Sequence, residues 1–181
     1  MLKNLMFPSV LAIAVCTAGC TTNIHAQNET IKPSKAPLGS YQTVSIRPLT
    51  VEKYGGDDGD KGAVSRIETE LSSCLSSVFP TAKPLPREGD GPKGALLIEP
   101  AIVDLKKVDT AERIFAGAFA GSSAVLLRTR YTDTGSGDIL AEPVFYAKAN
   151  AQGGAWTFGI TDNAMLSRIV DDACKYAKSN R

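Results

Sequence analysis

The chain has 181 residues, of which 20 are Lys or Arg and 19 are Asp or Glu, so its formal net charge is only +1. Overall charge this close to zero gives no indication of binding to nucleic acid or to anionic lipid, which call for a basic excess. The length suits one domain that buries a hydrophobic core of its own.

The N-terminus has the layout of a secretory signal. A single basic residue, Lys3, precedes a mostly apolar run over residues 5–18, which is too short to cross a bilayer as a permanent helix. The run ends in Ala18-Gly19-Cys20, which resembles the bacterial lipobox, with Thr17 where a Leu is usual. We therefore predict a lipoprotein signal peptide over residues 1–19 and acylation (diacylglycerol, palmitate) of the new N-terminal Cys20, which holds the chain on a lipid bilayer.

The residues after the cysteine indicate the compartment in which the mature protein resides. The inner-membrane retention signal of enteric lipoproteins is an Asp after the cysteine, so by resemblance Thr21 indicates the periplasmic side of the outer membrane. The alternative is ordinary secretory cleavage after Ala26, with Ile24 and Ala26 at the two recognition positions, which would release a soluble periplasmic protein.

Residues 20–40 have few large apolar side chains and no usable period, so we predict an acylated cysteine followed by a flexible tether, and a single α/β domain over residues 41–181. The only histidine, His25, lies in this tether. That position excludes a histidine-based triad or a multi-histidine zinc site from the folded domain, and we expect no cofactor and no metal.

The folded region predicts a mixed sheet of four or five strands with two helices packed on it. Its acidic, glycine-rich segment 55–60 lacks the spacing of the usual calcium loop, so a solvated turn is favoured over a calcium site.

Pro100 predicts a bulge or an exposed amide edge in the second strand. The first strand, helix and second strand predict a right-handed crossover, and strands two to four an antiparallel meander. In chain order the elements are a strand at 41–49, a helix at 61–78, a loop at 80–94, strands at 95–108, 124–132 and 139–150, a short edge strand or aromatic lid at 155–158, and a helix at 162–178.

Two cysteines remain once the signal and the acylated residue are set aside. Cys74 and Cys174 each lie on or beside the apolar stripe of a predicted helix, and a pair in an oxidising compartment invites a disulfide. The alternative is two buried free thiols, and the sequence leaves both open.

Asp133-Thr134-Gly135 is the tripeptide that carries the catalytic carboxylate of aspartic proteases. Those enzymes need two carboxylates that share a proton, and this chain has one copy of the tripeptide. We interpret Asp133 and Gly135 as turn residues of a hairpin, with Gly135 free to adopt a positive φ.

The segment between the second and third strands combines Arg113 with Gly117 and Gly121, four residues apart. This spacing permits close helix packing in membranes, but the apolar run 114–127 is short of a span. A tight, glycine-rich structural turn is the favoured interpretation.

Arg113, Gly117 and Gly121, then an apolar strand and Asp133-Thr134-Gly135, together resemble an uncharacterised family of bacterial lipoproteins, domain of unknown function 4410. The resemblance covers roughly residue 41 to the C-terminus. It implies an α/β domain distantly similar to the N-terminal domain of TolB and to periplasmic assembly lipoproteins, and it implies no catalytic site.

These observations favour a non-enzymatic binding or assembly module of the cell envelope, which binds another envelope protein through a sheet edge or through Arg113 and Trp156. One alternative is an envelope hydrolase that uses Asp133, Asp138 or Glu142 as acid or base. A small-ligand carrier with a deep apolar pocket is the other.

Overall fold

The computed structural model describes Ile24, Ala26 and residues 30–53, 58–89, 91–106, 122–149 and 160–181. These residues form two long helices and a seven-stranded sheet. The elements are β1 (Val44–Ile46), β2 (Thr50–Val51), α1 (Asp58–Val78), β3 (Ala82–Pro84), β4 (Leu96–Lys106), β5 (Ala124–Asp133), β6 (Ile139–Ala141), β7 (Val144–Lys148) and α2 (Ile160–Ser179), with a 3₁₀ turn at Leu38–Ser40.

The sheet is mixed, and its strand order is β3, β1, β4, β5, β6. Strand β2 also pairs with β4, beyond the end of β1, and β7 also pairs with β5, beyond the end of β6. The seven strands therefore occupy five rows. The pairs of β1 with β3 and β4, and of β2 with β4, are parallel, whereas β5 pairs antiparallel with β4, β6 and β7. The prediction of an α+β domain with two helices on a mixed sheet is confirmed, and so are the parallel pairing across α1 and the antiparallel meander.

Prolines interrupt the predicted strands at two places. Pro48 follows β1, which is shorter than the strand predicted over 41–49, and precedes β2, which lies beyond that prediction. Pro143 divides the strand predicted over 139–150 into β6 and β7. Because proline has no amide hydrogen, it interrupts the ladder where it stands. The four predicted strands thus correspond to five observed ones, and β2 is an addition.

Pro100 does not carry the predicted bulge, because the register shift in β4 lies between Ile102 and Asp104. The backbone N–H of Arg47 donates to the carbonyl of Ile98, and that of Glu52 donates to Ile102, on either side of the gap between β1 and β2. Pro100 lies opposite that gap, so the missing amide hydrogen costs the sheet no strand pairing.

The loop expected over residues 80–94 contains a strand, β3, that the sequence analysis did not predict. It is three residues long, lies at the outer edge of the sheet and ends in Pro84. A proline is compatible with an edge strand, whose outer amides need no partner. So short and proline-rich a segment has no period from which to predict it.

Both helices lie on one face of the sheet and contact each other along their length. Their apolar stripes, predicted from the helical period, are buried in the main core together with side chains of β4 and β5. The buried stripe residues are Ile67, Leu71, Leu75 and Val78 of α1 and Leu166, Ile169, Val170, Ala173 and Ala177 of α2. The helices that the structure describes all fall short of the length and apolarity needed to cross a bilayer.

A disulfide bond joins Cys74 of α1 to Cys174 of α2, whose Cα atoms are 6.2 Å apart. The alternative of two free thiols is therefore wrong in this structure. The bond closes a loop with a sequence separation of 100 residues, which restricts the unfolded chain strongly.

The folded unit begins earlier than Tyr41. The sequence analysis assigned residues 20–40 to a tether, yet Leu38 is fully buried in the main core and its N–H donates to the carbonyl of Asn180. The hydroxyl of Tyr176 donates to the carbonyl of Lys32, 3.0 Å away. A single large apolar side chain among Pro, Gly and Ser residues is enough to fasten this segment, because it enters the core.

The face of the sheet away from the helices, which we call the second face, carries a smaller apolar cluster. Ile24 is buried there against Ala124 and Leu126, beside Val144 and Tyr146. The N-terminal segment therefore contacts both faces of the sheet.

Candidate functional site

The turn between β5 and β6 is built around the Asp133 carboxylate. Its Oδ1 accepts hydrogen bonds from the backbone N–H groups of Gly135, at 2.7 Å, and Ser136, while its Oδ2 accepts one from the Tyr41 hydroxyl at 3.0 Å. The backbone N–H of Gly137 closes the turn on the Asp133 carbonyl. Both carboxylate oxygens are thus used to hold the turn.

The positive φ expected at Gly135 belongs instead to Gly137, with φ of +80°. Glycine at position 135 is required by space instead. A Cβ there would lie 3.3 Å from the Cα of Gly94 and 3.1 Å from Asp133 Oδ1. The turn and the loop before β4 therefore approach closely. Thr134 fastens them, since its Oγ1 accepts from the Ala95 N–H at 2.8 Å.

The electrostatics of this turn favour an ionised carboxylate. The Gly135 N–H, followed by the Tyr41 hydroxyl and Ser136, holds the pKa of Asp133 below its usual value. Burial, together with the bonded carboxylate, raises the pKa of Tyr41. A general acid needs a pKa shifted in the opposite direction, so this arrangement suits a structural acceptor rather than a proton donor.

Glu142, the third carboxylate of the hydrolase alternative, forms ion pairs with arginines of β5. Its Oε1 lies 2.7 Å from Arg130 Nη2 and 3.3 Å from Arg128 Nε. Across the same face, Arg47 and Glu99 pair at 3.1 Å. Among the described residues, no three His, Cys, Asp or Glu side chains form a group able to hold a metal ion.

The β6–β7 row forms one edge of the sheet, and its outer side has the geometry of a binding site for an extended peptide. The N–H of Ala149 donates to the Ser123 carbonyl, so the odd-numbered residues of β7 face β5. The backbone groups of Val144 and Tyr146 consequently point outward, away from the sheet. The outward carbonyl of Lys148 accepts a hydrogen bond from Arg168 of α2 at 2.8 Å.

Two grooves follow this edge, on either side of Ile31. One, of about 360 Å³, lies between residues 30–35 and residues 139–144. The other, of about 470 Å³, lies between β7 and the last turns of α2. Ile31 and Ile139, which are 44% and 41% exposed, line this region and are the large apolar side chains most exposed among the described residues. We call the two grooves together the edge grooves.

The N-terminal segment crosses the same edge. The backbone N–H of Lys35 donates to the Leu140 carbonyl of β6 at 3.0 Å, so part of the edge is already paired with the chain itself. Within the described part of the chain, the outward backbone groups of Val144 and Tyr146 in β7 have no such partner.

Several predicted site residues lie outside the residues that the structure describes. They are Cys20, His25, Arg113, Gly117, Gly121 and Trp156, together with the strand or lid expected at 155–158. Of the acidic segment 55–60, predicted as a turn, residues 55–57 lie outside and residues 58–60 are the first residues of α1. The lipidation and the roles assigned to Arg113 and Trp156 stay predictions. The edge grooves were not identified from the sequence, although the β-branched and aromatic residues Val144, Phe145 and Tyr146 indicate the strand that they follow.

Comparison with known proteins gives similarity of fold only. No family model matches the chain and no curated protein matches it, so the resemblance to domain of unknown function 4410 and the comparison with TolB stay predictions. Similar solved structures do exist, among them bacterial lipoproteins and a protein of domain of unknown function 330.

Three of these structures illustrate the range of sequence identity and structural similarity. A single-residue variant of PelC from Paraburkholderia phytofirmans, solved as a dodecamer, has 10% identity and a TM-score of 0.48 over 84% of this chain and 95% of that one. A protein of domain of unknown function 330 from Xanthomonas campestris has 8% identity and a TM-score of 0.45 over 83% and 94%. A lipoprotein from Neisseria meningitidis has 10% identity and a TM-score of 0.39 over 74% and 98%. At these values we transfer neither function nor assembly.

Proposed function

We propose that the protein is a lipoprotein, anchored by acylated Cys20 on the periplasmic side of the outer membrane, that acts as a non-enzymatic binding or assembly module. Its partner is an extended segment of another envelope protein, which pairs with the outer side of β7. The observation that carries the binding role is the outward backbone of Val144 and Tyr146 between the edge grooves, which forms no backbone hydrogen bond with another described residue. Strand addition gains affinity from main-chain hydrogen bonds and specificity from flanking pockets.

The surroundings of the edge support this role. Exposed Ile31 and Ile139 offer apolar contacts to alternate side chains of an added strand. Exposed strand edges are ordinarily protected by charge, proline or covering segments. Among the described residues, Lys148 and Pro143 flank Val144 and Tyr146, and the Lys35 hydrogen bond covers β6 and not these two residues. The anchor rests on the lipobox-like Ala18-Gly19-Cys20 sequence alone.

A photo-crosslinking residue in place of Ile139 tests the binding role in intact envelopes, with the same probe in place of Lys83, on the opposite sheet edge, as the matched control. We expect an adduct with another envelope protein at position 139 and none at position 83. The Tyr146→Pro substitution removes an outward N–H while leaving the ladder with β5, and it should abolish the adduct. Equal adducts at both positions would contradict the proposal.

The hydrolase alternative fails if the Asp133→Asn and Glu142→Gln variants leave any envelope-degrading activity unchanged.

The carrier alternative has one specific observation in its favour. A mostly apolar pocket of about 200 Å³ lies between α1 and the break between β1 and β2, lined in part by Leu49, Leu71 and Leu75. Its volume is below the roughly 300–1,000 Å³ of ordinary ligand sites, so we favour partner binding.

A further inference from the structure

The burial of Ile24 shortens the tether that the sequence predicts. Ile24 is 6% exposed and packs on the second face against Ala124 and Leu126. Only three residues lie between it and Cys20. The four residue-to-residue steps span at most about 14 Å when the chain is extended. The acyl chains on Cys20 must therefore enter the bilayer close to the Ala124 end of the second face.

That end of the sheet carries positively charged side chains. Lys106 of β4 and Lys148 of β7 both pair in register with Ala124. Directly paired residues of antiparallel strands point to the same face, so the two lysines flank Ala124 on the second face. Arg168 of α2 comes from the other face and reaches the outer edge of β7 beside Lys148, with its Nη2 2.8 Å from the Lys148 carbonyl oxygen.

None of these three cationic side chains forms an ion pair within the described part of the chain. By contrast, Lys53 on the same face lies 2.8 Å from Asp104, and the arginines further along the sheet are paired with glutamates. A chain that is nearly neutral overall thus has a local cationic end where its anchor leaves.

We propose that this end of the sheet, formed by Ile24, Lys106 and Lys148 on the second face and by Arg168 at the adjoining edge of β7, lies against the membrane and binds the phosphate groups of anionic lipids. The inference rests on the proposed acylation of Cys20 and deepens it, because it assigns an orientation to the anchored domain. The short tether places this surface at the headgroups, and its charge is complementary to theirs. Each basic residue near an anionic surface strengthens membrane association about fivefold.

The test uses the full-length lipidated protein bound to vesicles of phosphatidylcholine with phosphatidylglycerol, and measures the acylation rate of each lysine amine with a water-soluble reagent. We expect Lys106 and Lys148 to react severalfold more slowly on these vesicles than in the soluble Cys20→Ser variant, because the headgroups cover their amines. Lys83 lies on the same face but at the other end, about 30 Å away at the ordinary rise of a strand, and should react equally in both states.

Two variants separate the orientation from the anchor. Ile24→Asn should release the tether from the second face, so that the chain stays on the vesicles while Lys106 and Lys148 regain their solution rates. Ile31→Asn, in the same segment but exposed, should keep the protection.

Equal reactivity of Lys106, Lys148 and Lys83 in a chain that stays on the vesicles would overturn the orientation and leave the lipid anchor intact. A mature chain that carries no lipid and does not bind vesicles would overturn both proposals. Protection that is the same on vesicles of phosphatidylcholine alone would overturn the role of anionic lipid.

Discussion

Leu38 donates its backbone N–H to the carbonyl oxygen of Asn180 across 2.7 Å, which fastens the N-terminal segment of the domain to the end of its last helix. The Leu38 side chain is fully buried in the main core. Beside it, the N–H of Ser34 donates to Asn180 Oδ1, also at 2.7 Å. The segment ahead of β1 is therefore part of the cooperative fold and not only a spacer.

The Leu38→Ala substitution should lower the free energy of unfolding by about 2–5 kcal/mol, because it leaves a cavity in the core. Chemical denaturation of the purified domain measures the loss. Leu85→Ala, at a half-buried position, is the control and should cost less. Equal stability of the Leu38→Ala variant and the unmodified chain would show that residues 32–40 lie outside the cooperative unit.

Removal of the disulfide by the double substitution Cys74→Ala and Cys174→Ala should lower the free energy of unfolding by about 2–5 kcal/mol. The bond joins the two helices across a loop of about 100 residues, so its loss frees the unfolded chain. Addition of reductant should destabilise the unmodified domain to a similar degree and leave the double variant unchanged. A domain with two titratable thiols when unfolded without reductant would contradict this account.

Asp133 should make folding stability depend on pH in the acidic range. Its pKa is lower in the folded chain, so its contribution is present above the unfolded pKa, near about 4, and is lost as the pH falls through the lower folded value. The stability difference between the unmodified domain and the Asp133→Asn variant should be constant above about pH 5 and shrink below about pH 4.

Tyr41→Phe provides the control for this pH dependence, since it removes one of the donors to Asp133 and should reduce the effect without abolishing it. Urea denaturation as a function of pH provides the measurement. A difference that grows as the pH falls would have the wrong sign for a stabilised carboxylate.

Tyr131→Phe should leave the domain as stable as before or about 1 kcal/mol more stable. The ring is fully buried, 5.9 Å from that of Tyr176, and its hydroxyl has no hydrogen-bond partner among the described residues. Burial raises the pKa of Tyr131, so the hydroxyl stays protonated, and deleting it removes a desolvation cost without breaking a bond. Thermal unfolding measures the change in the free energy of unfolding. A loss above about 1 kcal/mol would show that the Tyr131 hydroxyl has a hydrogen-bond partner.

The sequence predicts those parts of the fold whose signal is local and periodic. The stripes of α1 and α2 and the long strand β5 follow directly from residue spacing. The predicted strand at 139–150 is divided by Pro143, and the one at 41–49 ends before Pro48, with β2 after it. Short β3 has no pattern at all, and its place at the edge depends on pairing with β1.

The candidate site depends on contacts that are distant in the sequence. Leu38 lies among residues typical of a linker, and its burial in the core and its hydrogen bond to Asn180 show that the segment is folded. The edge grooves form because residues 30–35 lie beside residues 139–144, more than a hundred positions later. The Asp133 turn, by contrast, was predicted as structural from its own residues.

The most direct test of the lipid-anchored account is mass spectrometry of the N-terminal peptide of the mature protein, extracted from the envelope of a cell that makes it. The account predicts a chain that begins at Cys20 and carries acyl chains on that residue. A mature chain that begins at Gln27 without lipid, in the soluble periplasmic fraction, would contradict it.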